Sequence, residues 1–151
     1  MSVVIKEVIN KRDLKKWVDF PNKMYKKNKA YCPFLFPDEI DTFTRAKNPA
    51  YEFCETKLFL AERDGKIVGR IGALINHAAN KKWGTNAIRF TRFDFIDDYE
   101  VSKTLFDKVI EWGKEVIKGL LPINVCAHCG PGTVGLVISP KINGKSLAEY
   151  M

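Results

Sequence analysis

The sequence predicts an α/β domain, and three observations predict it. Short β-branched runs recur along the chain, an Asp-Gly turn joins two of them, and a long apolar stripe at helical spacing follows the last. The 151 residues are 46% hydrophobic and 28% charged, which suits one domain with a core of its own.

Residues 3–8 (VVIKEV) read as a first strand. Asn10 precedes a helix whose apolar face is Leu14, Trp17, Val18 and Phe20, and Pro21 is expected to stop it. A second helical segment is read over 22–27, with Met24 and Tyr25 among lysines. Residues 30–50 are punctuated by Pro33, Pro37 and Pro49 and carry Tyr31, Phe34, Phe36 and Phe43. They read as an irregular segment covering a sheet edge or lining a substrate cleft, packing being the commoner use of scattered aromatics.

The clearest stretch comes next. Residues 57–62 form a strand, 63–66 a tight turn in which Asp64-Gly65 supplies positive φ, and 67–75 the returning strand. Gly69 and Gly72 remove side chains from the returning strand, which suits a bend, a bulge or close approach of another backbone. Residues 77–85 read as a polar loop and 87–96 as a further strand. Its alternation breaks near Thr91, which predicts a bulge. Val101, Leu105, Val109, Trp112 and Val116 then mark a helix over 99–118, ended by Gly119. Another strand is read at 123–126, and the Gly- and Pro-rich stretch 129–144 receives no assignment.

The net charge is +7, with much of the excess in Lys11, Arg12, Lys15, Lys16, Lys23, Lys26, Lys27 and Lys29. Such a face attracts nucleic acid or another anionic partner, but without a nucleic-acid motif a solvated helix face is the commoner meaning. No apolar run reaches the length of a membrane span, and the first residues lack a signal-peptide core. A cytoplasmic chain without a membrane partner is expected. Cys32, Cys54, Cys126 and Cys129 read as reduced thiols, with Cys54 a small buried hydrophobe. Cys126-Ala127-His128-Cys129 has zinc-ligand chemistry, yet no second cluster completes it unless Cys54 and His77 converge there, so no metal is expected. His77 is a general-base candidate or, more commonly, a surface histidine.

The order of elements, together with LFLAERDGKIVGRIGALIN and FTRFDFIDDYEVSKTLFDKVIEWGKE, resembles the GNAT superfamily of N-acyltransferases. NPAYEFCETKLFLAERDGKIVGRIGALINH with FDFIDDYEVSKTLFD is similar, more narrowly, to a group of bacterial GNAT-like proteins. The likeness covers residues 2–119, with 120–151 atypical. It implies one domain over 1–151: a mixed, mostly antiparallel central sheet flanked by helices. It also implies transfer of an acyl group from acetyl-CoA or another acyl-CoA to a small-molecule or peptide amine. The family's fourth strand diverges from its fifth, and the gap holds the pantetheine arm. That role falls here to Phe93, Phe95 and Ile96, and the pyrophosphate turn to Asp97, Asp98, Glu100, Val101 and Ser102.

Asp94 has the position of the family's carboxylate base, or is a solvent-facing strand residue. Tyr150, in NGKSLAEY, faintly matches the tyrosine that protonates the departing thiolate, or matches it by chance. At the turn the sequence departs from the family pattern. Asp97 stands where Gln or Arg is usual and Glu100 where Gly is usual, and only Ser102 keeps the small final residue. Carboxylates there repel a pyrophosphate, and Asp97 or Asp98 as an N-cap explains them without a ligand. Arg70, Arg89 and Arg92 are the basic residues available to offset them. Few residues follow the fifth strand, so the alternative function is a truncated, non-catalytic module that associates, as a homo-oligomer for instance, through an unpaired sheet edge.

Overall fold

A computed structural model describes residues 2–116 and 124–127. Five strands form one sheet in chain order: β1 (Val4–Glu7), β2 (Cys54–Arg63), β3 (Lys66–Asn76), β4 (Ala87–Phe95) and β5 (Asn124–Ala127). The first four run antiparallel, and β5 lies parallel to β4. Helices α1 (Lys11–Met24) and α4 (Tyr99–Val116) cover opposite faces; α2 (Phe36–Thr42), a 3-10 turn (Pro49–Glu52) and α3 (His77–Trp83) are short. The mixed, mostly antiparallel sheet flanked by helices is the architecture expected.

The hairpin closes as its Asp-Gly pair requires. Asp64 and Gly65 have φ of 53° and 72°, the paired positive values of a type I′ turn. On one face Phe59, Ala61, Ile71, Ala73, Ile75 and Ile88 pack against Val101, Leu105, Val109 and Trp112 of α4, the stripe read from the sequence. Gly69 makes this contact close. A Cβ there would come within 2.8 Å of Leu105 Cδ1 and 3.0 Å of Val101 Cγ1. On the other face Leu14, Trp17 and Val18 of α1 pack on Leu58 and Leu60.

The bulge in β4 reconciles two phases. Gly72 pairs with Thr91 but Arg70 pairs with Asp94, so β4 carries one extra residue, and Arg92 adopts φ of 50°. Ile88 and Phe90 therefore face α4, and so do Phe93 and Phe95. Residues 87–90 of β4 pair with β5 in the register Ala87↔Asn124 to Phe90↔Ala127. Among the described residues the β4–β5 ladder ends there, just before the bulge.

Three expectations are corrected. Pro21 does not stop α1, which runs on to Met24, so the separate helical segment over 22–27 is its last turn and the turn beyond. The expected loop over 77–85 is largely α3, capped by Asn76, whose side chain accepts from Ala79 N, and closed by Gly84 at φ 59°. The irregular stretch 30–50 contains α2, and the 3-10 turn starts at its end. Readings at Lys118, Gly119, His128, Cys129, the 129–144 stretch and Tyr150 lie outside the described residues.

Candidate active site

The site begins with a proline. Pro21 has no N–H, so the carbonyl four residues back, on Trp17, lacks its helical donor. Arg70, only 1% exposed, supplies one: its Nη1 donates to Trp17 O at 2.9 Å and reaches Val18 O at 3.5 Å. The guanidinium also lies 4.6 Å over the Trp17 ring. Its Nε donates to Asp94 Oδ2 at 2.8 Å. Burial pulls the Arg70 guanidinium below its ordinary value, and Asp94 opposes that pull.

The second oxygen of Asp94 accepts from Tyr25 Oη at 3.1 Å. Asp94 thus joins α1 to β4 and faces α1 rather than open solvent. Burial first, and then the Asp94 carboxylate, push the Tyr25 phenol up to about 12. The neutral phenol is therefore favoured in the folded state. The stability it contributes is complete below pH 10, the unfolded tyrosine value, and is lost as pH rises towards 12. In alkaline unfolding followed by circular dichroism, Tyr25→Phe is expected to lose less stability than wild type between pH 10 and 12.

A cavity of about 230 Å3 opens on the α1 side of the sheet. Its floor is the cross-strand row Thr56–Leu74–Arg89, with Cys54 and Thr91 beside it. Phe43, Asn48, Ala50 and Tyr51 form its roof. Asn48 shapes that roof: its Nδ2 donates to Thr42 O at 2.8 Å and its Oδ1 accepts from Ala50 N at 3.0 Å. Arg92 ties the roof to the bulge, since its Nε and Nη2 donate to both oxygens of buried Glu39, at 3.2 and 2.8 Å. Phe34 and Phe43 flank the same guanidinium at 5.3 and 5.4 Å. Arg89, by contrast, makes no ion pair among the described residues. Cys54 is buried, as expected, and burial raises its thiol while Arg89 partly offsets the rise.

The turn into α4 holds its own carboxylate. Asp98 Oδ1 accepts from Glu100 N at 2.9 Å and Val101 N at 3.3 Å, so Asp98 is the N-cap and takes the first free amides of the helix. Arg63 donates from Nη1 to Asp98 Oδ2 at 2.7 Å and from Nη2 to Glu100 Oε2 at 2.9 Å. The Arg63 hydrogen bond is the main reason the Asp98 carboxyl sits below its usual range. Arg63 thus offsets these charges, not Arg70, Arg89 or Arg92. Ser102 Oγ donates to Tyr99 O, while Asp97 and Ile96 are exposed at the strand end.

Phe93 and Phe95 stack on each other at 4.7 Å, and Phe93 meets Phe106 of α4 at 5.4 Å. His77 opens α3 at the surface, its Nε2 3.2 Å from Glu55 Oε2, and it is not among the residues lining the cavity. Among the described residues no His, Cys, Asp and Glu side chains gather to hold a metal ion, and no helix is long and apolar enough to cross a membrane. Sequence reasoning missed Tyr25, Glu39 and Arg63. Each works through a partner far along the chain, and no local spacing signals it.

No family model matches the chain. Protein YghO of Escherichia coli K12 is 30% identical over 131 residues, covering 84% of this chain and 33% of that protein. The bacterial ceramide synthase of Caulobacter vibrioides is 31% identical over 101 residues, covering 66% of this chain and 26% of that protein. The chain therefore spans about a third and a quarter of the lengths of these relatives. Among solved structures, a tandem GNAT protein from the clavulanic acid biosynthesis pathway superposes with a TM-score of 0.60 at 13% identity, over 87% of this chain and 39% of that one. A predicted acetyltransferase of Clostridium acetobutylicum, solved with acetyl-CoA, gives 0.57 at 11% identity, over 85% and 82%. An N-acetyltransferase of Staphylococcus aureus Mu50 gives 0.55 at 16% identity, over 83% and 73%.

Proposed function

Because the chain has the GNAT acyltransferase fold, we propose that it transfers an acyl group from a thioester to an amine held in the α1-side cavity. The observation that carries this reading is the position of the cavity. Its wall includes Thr91 and Arg92, so it opens onto the β4 bulge, just past Phe90, the last β4 residue whose pairing with β5 is described. In GNAT folds a divergence of the fourth strand from the fifth receives the pantetheine arm. An amine in the cavity and a thioester along the outer edge of β4 would meet at the bulge, and holding both there lowers the barrier by proximity.

The lining suits an amine with an apolar body. Phe43, Ala50, Cys54 and Leu74 offer apolar contact. The positive charge of Arg89 disfavours an ammonium nearby and so favours the neutral, nucleophilic amine. The relative named bacterial ceramide synthase supports the same acceptor class, since a ceramide is the amide of a long-chain amine. Asp94 enters this reading as a positioning residue: engaged by Arg70 and Tyr25, it fixes α1 against the bulge.

The diphosphate of a coenzyme A donor does not fit the turn in the family manner. Asp98 already takes the amides of Glu100 and Val101, and the carboxylates of Asp97, Asp98 and Glu100 oppose further negative charge. The donor is therefore expected to be recognised by its acyl-pantetheine part. In a thiol-release assay with a long-chain amine, acyl-CoA and the corresponding acyl-pantetheine should differ in kcat/KM by less than about tenfold. A preference of several orders of magnitude for acyl-CoA would contradict this account of the turn. Absence of thiol release with every thioester would contradict the proposed function itself.

A further inference from the structure

The chain between α1 and α2 carries two features that acyl transfer leaves unused. Lys26, Lys27 and Lys29 stand exposed on the turn after α1, and none of them makes an ion pair among the described residues. Phe34, Leu35 and Phe36 follow, with 57%, 72% and 36% of their surface exposed. The loop is held rather than loose. The Tyr25 and Tyr31 rings meet at 5.0 Å, Tyr31 Oη donates to Asn22 Oδ1 at 2.9 Å, and Asn28 N donates to Tyr25 O at 2.8 Å. Lysines and apolar side chains are thus presented together from one pinned segment.

We propose that the loop spanning residues 26–36 docks on the surface of a membrane containing anionic lipid. Three consecutive large apolar side chains in water are unfavourable, and the headgroup–acyl boundary is a medium that removes that cost. The lysines complement anionic headgroups, and their long stems let the ammonium groups stay at headgroup level while the apolar residues enter. A protein interface fits less well, because lysine is depleted in such surfaces. A single-stranded nucleic acid also fits less well. Its sites spread aromatic platforms along a basic groove, whereas here the apolar residues are contiguous and include Leu35. The expectation of no membrane partner rested on the lack of a spanning run, and surface docking needs no such run. The Phe34 ring lies over Arg92, so the docked loop adjoins the acceptor cavity. The docking rests on the loop alone and holds whether or not the chain transfers acyl groups.

Vesicle co-sedimentation tests it. The chain is expected to bind vesicles of mixed phosphatidylcholine and phosphatidylglycerol, to ignore phosphatidylcholine alone, and to release as salt is raised. The triple variant Lys26→Glu, Lys27→Glu, Lys29→Glu should bind about a hundredfold more weakly, and Leu35→Asp roughly tenfold more weakly. All four positions are exposed, so circular dichroism and Tm should match wild type in both variants. No vesicle binding, equal binding to both vesicle types, or variants that bind like wild type would overturn the proposal. So would salt-sensitive RNA or DNA binding through these lysines without vesicle binding.

Discussion

Arg70→Met is expected to lower stability by about 3 kcal/mol in denaturant unfolding, among the largest effects of any single substitution here. The methionine keeps much of the packing over Trp17 but removes every donor. Asp94 then keeps only the Tyr25 hydroxyl, and the Trp17 carbonyl has none, because Pro21 cannot supply its N–H. The figure lies at the low end for a broken buried pair because Asp94 is 19% exposed and water reaches it. Two companions separate the causes. Adding Asp94→Leu should recover much of the loss by removing the stranded charge. Pro21→Ala should stabilise Arg70→Met by about 1 kcal/mol more than it stabilises wild type, because only in the variant is the Trp17 carbonyl without a donor. Equal effects of Pro21→Ala in both backgrounds would show that Arg70 does not replace the missing helical bond.

Ala50→Trp should have the largest effect on catalysis. Ala50 forms part of the cavity roof on the 3-10 turn and is half-buried, so an indole placed there is expected to fill the cavity. With the acceptor displaced from the bulge, kcat/KM for amine acylation should fall about a hundredfold. Hydrolysis of the thioester should change little, since the outer edge of β4 is untouched, and Tm should stay close to wild type. A loss of acylation that tracks a loss of Tm would mean only that the roof has unfolded. Unchanged acylation with a native Tm would remove the cavity from the acceptor path.

Local rules carried the sequence reading a long way. Asp64-Gly65 specifies its own turn, and the stripe from Val101 to Trp112 specifies its own buried face. The bulge was legible because Ile88 and Phe90 fall out of phase with Phe93 and Phe95, and one extra residue at Arg92 is the simplest repair. What escaped depends on distant partners. A proline reads as a stop unless a guanidinium from another strand takes its orphan carbonyl, as Arg70 does. Glu39 looks like an ordinary surface residue until Arg92 pairs with it across the cavity mouth. Helix α3 had its caps in Asn76 and Gly84, but it is short and has no apolar stripe to announce it. At the α4 turn the sequence correctly offered an N-cap for the carboxylates. Which arginine meets them depends on the hairpin register, which places Arg63 there.

The proposed activity is one reaction, the joining of a thioester's acyl group to an amine. The direct measurement incubates the chain with an isotopically labelled acyl thioester and a long-chain primary amine, and follows both products by mass spectrometry. The expected product is an amide heavier than the amine by the labelled acyl group, formed one for one with free thiol. Free thiol without amide, or neither product across acyl-CoA and acyl-pantetheine donors, would contradict it.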